Sequence, residues 1–517
     1  MLSKRNLEFM LSSFSWYTLH TTHFATDESC THAADNLIAA GSQANAQRLF
    51  VQLIREQGDE YAFMVLNEAT RHIHETRHFL DLACSSWGTY IAIANVKFFI
   101  DLIRALRDLS PGQRVELPLD SWRLCLDCPR ALREAVGQIT SSSGFQQWLF
   151  GDYLVDKQWP EGDIMAPFIT PVEVNGTEYT TLVTKVNESQ AYVVGASCLA
   201  EASAIACQFV FLFNLVGREI TSWWYTRLME RYENSKAYRY YTIPALTRSV
   251  VQRYAPVLDY AFAEYSLAGE MVTKEDLYKL HPGARYVVAY DRLAAVEGAP
   301  ALVERFDDDS EARMSFVQDI LPMPEYLGTL RSELDRGAKT LSDLEDLLDG
   351  MELPEFEGEI ILAPAGGAAY GAALRFERRL LRDYLVVQRK RVDDLDSMLD
   401  PQRFVTETWK DLPMPHASIN WEGDHLLRGD EPGMAVRHSE GSQVWLWFLL
   451  VNFLQSLITE KDAMCPIKDS GIACSVRDGV CGIEGRHYER DGMICEYGWL
   501  LDATHISDKE IVPVMGT

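Results

Sequence analysis

The chain has 517 residues, 47% of them hydrophobic and 24% charged, the proportions of a folded globular protein rather than a disordered or fibrous one. Its 75 acidic side chains against 48 basic ones leave a formal charge of -27, so the average surface repels phosphate backbones and anionic leaflets, and neither nucleic acid nor a membrane is expected as a partner. Met1 to Phe14 carries no apolar core of signal-peptide length before a small-residue cleavage site, and the ten cysteines lack framework spacing; both point to a cytoplasmic location with reduced thiols.

Apolar residues recur at helical spacing through Ala44 to Ile54, Tyr61 to Cys84, Tyr90 to Leu106 and Ser222 to Arg231, which predicts a mainly α fold with a small β part (α+β). Ile169 to Val183 departs from that period. Two alternating β-branched runs there flank Asn175-Gly176, the preferred pair for a type I′ turn, and predict a β-hairpin. Ala191 to Gly217 is long enough to cross a bilayer but contains Glu201, so it reads as a buried core helix.

Leu341 to Glu359 turns acidic and carries Gly350 and Pro354, which suits an exposed connection. The expected organisation is therefore a first domain over 1–345, an acidic linker over 346–360 and a helical C-terminal domain over 361–517. In the last, Ala368 to Asp400 reads as a long helix and Gln443 to Ile458 as a buried one. The basic stretch Arg375 to Arg391 reads as a solvated helix face, with an acidic or regulatory partner protein as the alternative.

Inside the Tyr61 to Cys84 helix, His74-Glu75-Thr76-Arg77-His78 spells H-E-x-x-H. Residues four apart share one face of a helix, so both imidazoles reach a single ion while the glutamate lies alongside. Zinc accepts neutral imidazole ligands and acidifies a coordinated water, from which Glu75 takes the proton during attack on a carbonyl. His72, His74 and His78 fall within seven residues of one helix, a clustering that packing alone does not call for; solvated histidines on a polar face are the plainer alternative.

The motif resembles that of the zincin superfamily of metallopeptidases, through His74, Glu75 and His78 and over one helix. Arg77 departs from the family pattern, which has an uncharged residue there. The resemblance implies a zincin-like catalytic domain acting on a protein or peptide substrate, with zinc as cofactor and a third ligand, often a glutamate on a later helix among small residues. Glu201, in Cys198-Leu199-Ala200-Glu201-Ala202-Ser203-Ala204, fits that description, and a lone carboxylate in so apolar a run is costly unless paired or metal-bound. A salt bridge to a base such as Arg77, or a protonated carboxyl, is the alternative. Asp81 and Glu68 are the next candidates, as ligand or as support for a ligand. The resemblance also suggests that the hairpin serves as the edge against which an extended substrate lies. Tyr238, Tyr240 and Tyr241 are possible oxyanion donors, none of them assigned.

Weaker signals stand apart from this site. Cys125-Leu126-Asp127-Cys128 is a lone CxxC and reads as structural. Cys465, Cys474, Cys481 and Cys495, with His487, are irregularly spaced for a second metal site. Glu75-Thr76-Arg77-His78 is also the E-x-x-H of di-iron bundles, but the further matches, Glu422 to His425 and Glu484 to His487, contain glycine and read as loops. A zinc-dependent hydrolase is thus the leading expectation, with a di-iron oxidase or oxygenase and a non-enzymatic helical scaffold or sensor as rivals.

Overall fold

A computed structural model describes residues 12–15, 20–24, 28–159, 167–269, 281–304 and 309–349, and shorter segments within 359–513. The fold is mainly α-helical with small sheets. Strands β1 (Ser12–Ser15) and β2 (His20–Phe24) precede the helices α1 (Glu28–Ile38), α2 (Gln43–Gln57), α3 (Asp59–Cys84) and α4 (Ser86–Arg107). The motif helix is α3. Asp59 and Glu60 occupy its first turn, where acidic side chains oppose the helix dipole. Ser85 ends it and at once caps α4, accepting from the Gly88 N–H at 2.9 Å.

After β3 (Arg114–Leu117) and α5 (Arg130–Phe150), the chain builds one antiparallel sheet from β4 (Leu154–Asp156), β5 (Pro167–Val174), β6 (Thr177–Lys185) and β7 (Gln190–Val193), in the order β4-β7-β6-β5. The expected hairpin is its β5-β6 pair. Asn175 and Gly176 both take positive φ, 50° and 76°, as a type I′ turn requires.

The sheet hands the chain directly to α6 (Ala196–Val216), which carries Glu201. Here the sequence reading needs correction, because Ala191 to Val193 is strand β7 rather than the first turn of that helix. Gly195 makes the switch. A Cβ at that position would stand 2.5 Å from the Leu149 carbonyl oxygen and 2.6 Å from that of Phe150, so the close approach of α5 admits only glycine. By length and apolarity α6 passes as a membrane span, yet nearly every residue from Ala196 to Gln208 is buried. It packs between α3 and α9 (Pro256–Leu267), with α7 (Arg218–Asn234) and α8 (Tyr238–Val251) between α6 and α9 in sequence. That enclosure explains why the helix is apolar on all sides.

α10 (Pro282–Ala294), α11 (Ser310–Ile320) and α12 (Met323–Asp349) follow. α12 continues through 341–349, so the first residues of the expected linker are helical; Leu330, Leu334 and Leu341 form its buried stripe. Residues on both sides of that stretch share one core, which includes Leu341, Met398, Leu399 and Phe404. Arg313 also binds the Asp400 carboxylate at 2.9 Å, and Glu510–Pro513 pairs in parallel with β3. Gly441–Thr459 is helical, matching the second helix expected there. Nearly all of the Ala368 to Asp400 reading, its basic stretch included, lies outside the described residues, as do Cys465, Cys474, Cys481, Cys495 and Glu484 to His487.

Candidate metal centre

α3 and α6 run antiparallel in contact, and their facing positions build the site. His74 and His78, one helical turn apart, set their rings nearly perpendicular at 86°, with centroids 4.6 Å apart. Both Nε2 atoms turn toward α6. They stand 3.0 Å from each other, and Glu201 Oε2 lies 3.1 Å from His74 Nε2 and 3.2 Å from His78 Nε2. A tetrahedral zinc with bonds of about 2.0–2.1 Å separates its ligand atoms by roughly 3.3–3.4 Å. The triangle is slightly smaller than one face of that tetrahedron. Among the described residues this is the grouping whose ligand atoms converge as a metal would require.

The electrostatics ask for a positive centre inside the triangle. Glu201 Oε2 is close to both nitrogens yet aligned for a hydrogen bond with neither, and the two Nε2 atoms lie within hydrogen-bond distance of each other, so three potential ligand atoms face one point. Burial opposes a charged His74, but the Glu201 carboxylate overcomes that penalty, helped by Glu75, and pushes the imidazole up to about 9. Burial likewise works against a charged Glu201, and the two imidazoles outweigh it, holding the carboxyl far below its ordinary range. A proton or a cation satisfies this arrangement, and two imidazole nitrogens with one carboxylate oxygen are a donor set that suits a borderline divalent metal.

Glu75, between the two histidines in sequence, is 3% exposed. Its charge acts on His74, Arg71 and Tyr240. Two further groups that the sequence reading missed touch the centre, and a third that it left unassigned stands within its field. Gln208 Oε1 lies 3.0 Å from His74 Nδ1. Arg239 Nη1 is 3.6 Å from Glu201 Oε1 and Nη2 is 3.3 Å from Asp152, at the partly exposed rim. Tyr240 feels both Glu201 and Glu75, and burial followed by those charges keeps its phenol protonated. Gln208 escaped notice because it carries no charge, although it lies seven residues after Glu201 and therefore on the same face of α6.

The next-ranked ligand candidates are elsewhere. Asp81 accepts from Arg77 Nη2 at 2.5 Å and from Ser203 Oγ at 2.6 Å, so it serves the arginine and not an imidazole. Glu68 pairs with Arg71 at 2.9 Å and with Thr31 of α1; seven residues along a helix is an axial displacement of about 10.5 Å, too far from Glu75 to share its ion. Arg77 is buried and does not pair with Glu201. It binds Asp81 and Glu264 and donates to Ser203 Oγ at 3.2 Å and Tyr260 Oη at 3.0 Å. A small crevice lies on this arginine side of α3, lined by Leu80, Asp81, Glu264, Tyr326 and Met398.

The remaining sequence signals find plain structural roles. The hairpin neighbours α5 and α10, whereas the strands beside α3 are β1 and β2; Trp148 of α5 anchors the hairpin by donating to the Thr180 carbonyl at 3.0 Å and stacking on Tyr179. Cys125 and Cys128 are not disulfide-bonded, and Arg133 ties their loop through the carbonyls of Cys125, Leu126 and Cys128. Glu422 and His425 are cross-strand partners of a β-hairpin, not neighbours on a ligand helix. No family model, curated protein or solved structure matches the chain.

Proposed function

We propose that the protein is a zinc-dependent hydrolase of amide bonds, most simply a peptidase, with His74, His78 and Glu201 as metal ligands and Glu75 as the proton-transferring group. The observation that carries this reading is the convergence of two Nε2 atoms and one carboxylate oxygen within 3.0–3.2 Å of one another, across two helices. When bound there, zinc supplies Lewis-acid polarisation of a carbonyl and acidifies water.

The chain's own residues then have separable tasks. Glu75 accepts a proton from the attacking water and returns it to the leaving amine, so one carboxylate acts first as base and then as acid. Its burial and its place beside the histidines favour that exchange over simple solvation. Tyr240, held protonated by burial and by nearby carboxylates, is a donor for the oxygen on which negative charge develops. Arg239 balances Glu201 from the rim.

Two histidines and a carboxylate also suit mononuclear iron, so the test must separate the two chemistries. Purified protein would be incubated with a mixed peptide library, and products read by mass spectrometry with and without a chelator. The reading expects new peptide termini, abolished by chelation and restored by zinc, with Glu75→Gln reduced by about 10²–10⁴. Cleavage indifferent to both the chelator and Glu75→Gln, or oxygenated products without cleavage, would reject it.

A further inference from the structure

The buried amide of Gln208 is placed to do more than fill a polar gap in α6. Its Nε2 lies 2.8 Å from Thr70 Oγ1, and that hydroxyl in turn donates within α3 to the carbonyls of Leu66 at 3.0 Å and Asn67 at 3.1 Å. With its proton committed to the backbone, Thr70 can only accept from the amide. The Gln208 carbonyl oxygen is thereby turned to His74 Nδ1, 3.0 Å away. A carbonyl oxygen cannot donate, so the ring must place a proton on Nδ1. The lone pair of a neutral His74 then sits on Nε2, the nitrogen that faces Glu201 Oε2 and His78.

From this geometry we infer that Thr70 and Gln208 form a positioning relay that selects the metal-binding tautomer of His74 and fixes its ring. The inference rests on the metal reading given above and adds to it the residues that prepare one ligand. Both relay members are buried, Thr70 at 0% and Gln208 at 7% exposed, so water does not replace either partner. The order from backbone carbonyl to hydroxyl to amide to imidazole runs in one direction, each group donating to the one before it. Hydrogen bonds of this kind to the far nitrogen of a ligand histidine orient the ring and raise its basicity, and their loss weakens metal binding by about 10–100-fold.

The test is the affinity of the full chain for Zn²⁺, measured by competition with a chromophoric chelator, together with the visible absorption of the Co²⁺ form as a report on ligand geometry. Gln208→Leu keeps the volume and removes the acceptor; it is expected to weaken Zn²⁺ binding about 10–100-fold and to alter the Co²⁺ spectrum. Gln208→Glu retains an acceptor beside His74 once the Thr70 hydroxyl turns to donate to the other carboxylate oxygen, and is expected to stay within a few-fold of wild type or bind more tightly. Thr70→Val is expected to lose less than Gln208→Leu, and Thr70→Ser to match wild type. The Thr70 pair decides the matter if the leucine variant fails to fold. Equal Zn²⁺ affinity in wild type, Gln208→Leu and Thr70→Val would overturn the relay while leaving the metal site intact. Wild-type protein that binds Zn²⁺ no better than His78→Ala would overturn the metal reading itself.

Discussion

Arg77 Nε donates to Ser203 Oγ at 3.2 Å, which ties the helix of the two histidines to the helix of Glu201 two residues from that carboxylate. The same guanidinium holds Asp81 and Glu264 and lies against the rings of Tyr260 and Phe404, 4.9 and 4.6 Å from their centroids. An arginine inside an H-E-x-x-H helix is thus the bolt that sets the spacing of α3, α6 and α9. Removing it takes from the buried Asp81 and Glu264 carboxylates the cation that they share. Arg77→Met is expected to destabilise the fold by about 3–5 kcal/mol, read as a lowered urea midpoint. Adding Asp81→Asn and Glu264→Gln should recover part of the loss, because the stranded charges are what cost. A midpoint unchanged by Arg77→Met would show that the guanidinium does not hold these helices together.

Tyr240 is assigned a role in turnover and none in holding the ion. Tyr240→Phe should therefore lower kcat by about 10²-fold with the zinc content unchanged. Loss of zinc in parallel with activity would instead make the phenol part of the metal's support.

Asp259 of α9 supplies a pH signature independent of the metal. Burial raises its carboxyl to about 7 from an ordinary 3.8, with Thr247 only partly offsetting it. The folded protein holds this proton where the unfolded chain has released it, so the contribution to stability falls as pH rises from about 4 to about 7. Asp259→Asn, which cannot ionise, should gain on wild type across that window, by about 1–3 kcal/mol at slightly alkaline pH and little near pH 4. His281, buried as the cap of α10 and pushed down to about 4 by burial, contributes the opposite slope, since its stabilisation is lost as pH falls from the ordinary imidazole range toward that value. Comparing Asp259→Asn with wild type isolates the carboxyl. A difference that is flat with pH would contradict its assignment.

Several of these relationships could be read from the sequence and others could not, for physical reasons. The four-residue spacing of His74 and His78 is local to one helix, and Glu201 announced itself as the single charge in an apolar run. The Asn175-Gly176 turn was legible because its φ values demand those residue types. The start of α6 was misplaced because Ala191, Tyr192 and Val193 are as apolar as a core helix, and only the contact of Gly195 with α5 separates strand from helix. Asp81 looked like a ligand by periodicity, but its neighbour four residues earlier is a full positive charge. Gln208 and Arg239 reach the centre through tertiary packing, to which helical spacing within one segment is blind.

Whether His78 and Glu201 hold a metal is decided by the metal content of the purified chain, read by elemental mass spectrometry for wild type beside His78→Ala and Glu201→Ala. About one zinc per chain is expected in wild type, lost in both variants, which remove ligands from different helices. Wild type without metal, or zinc retained in both variants, would contradict it.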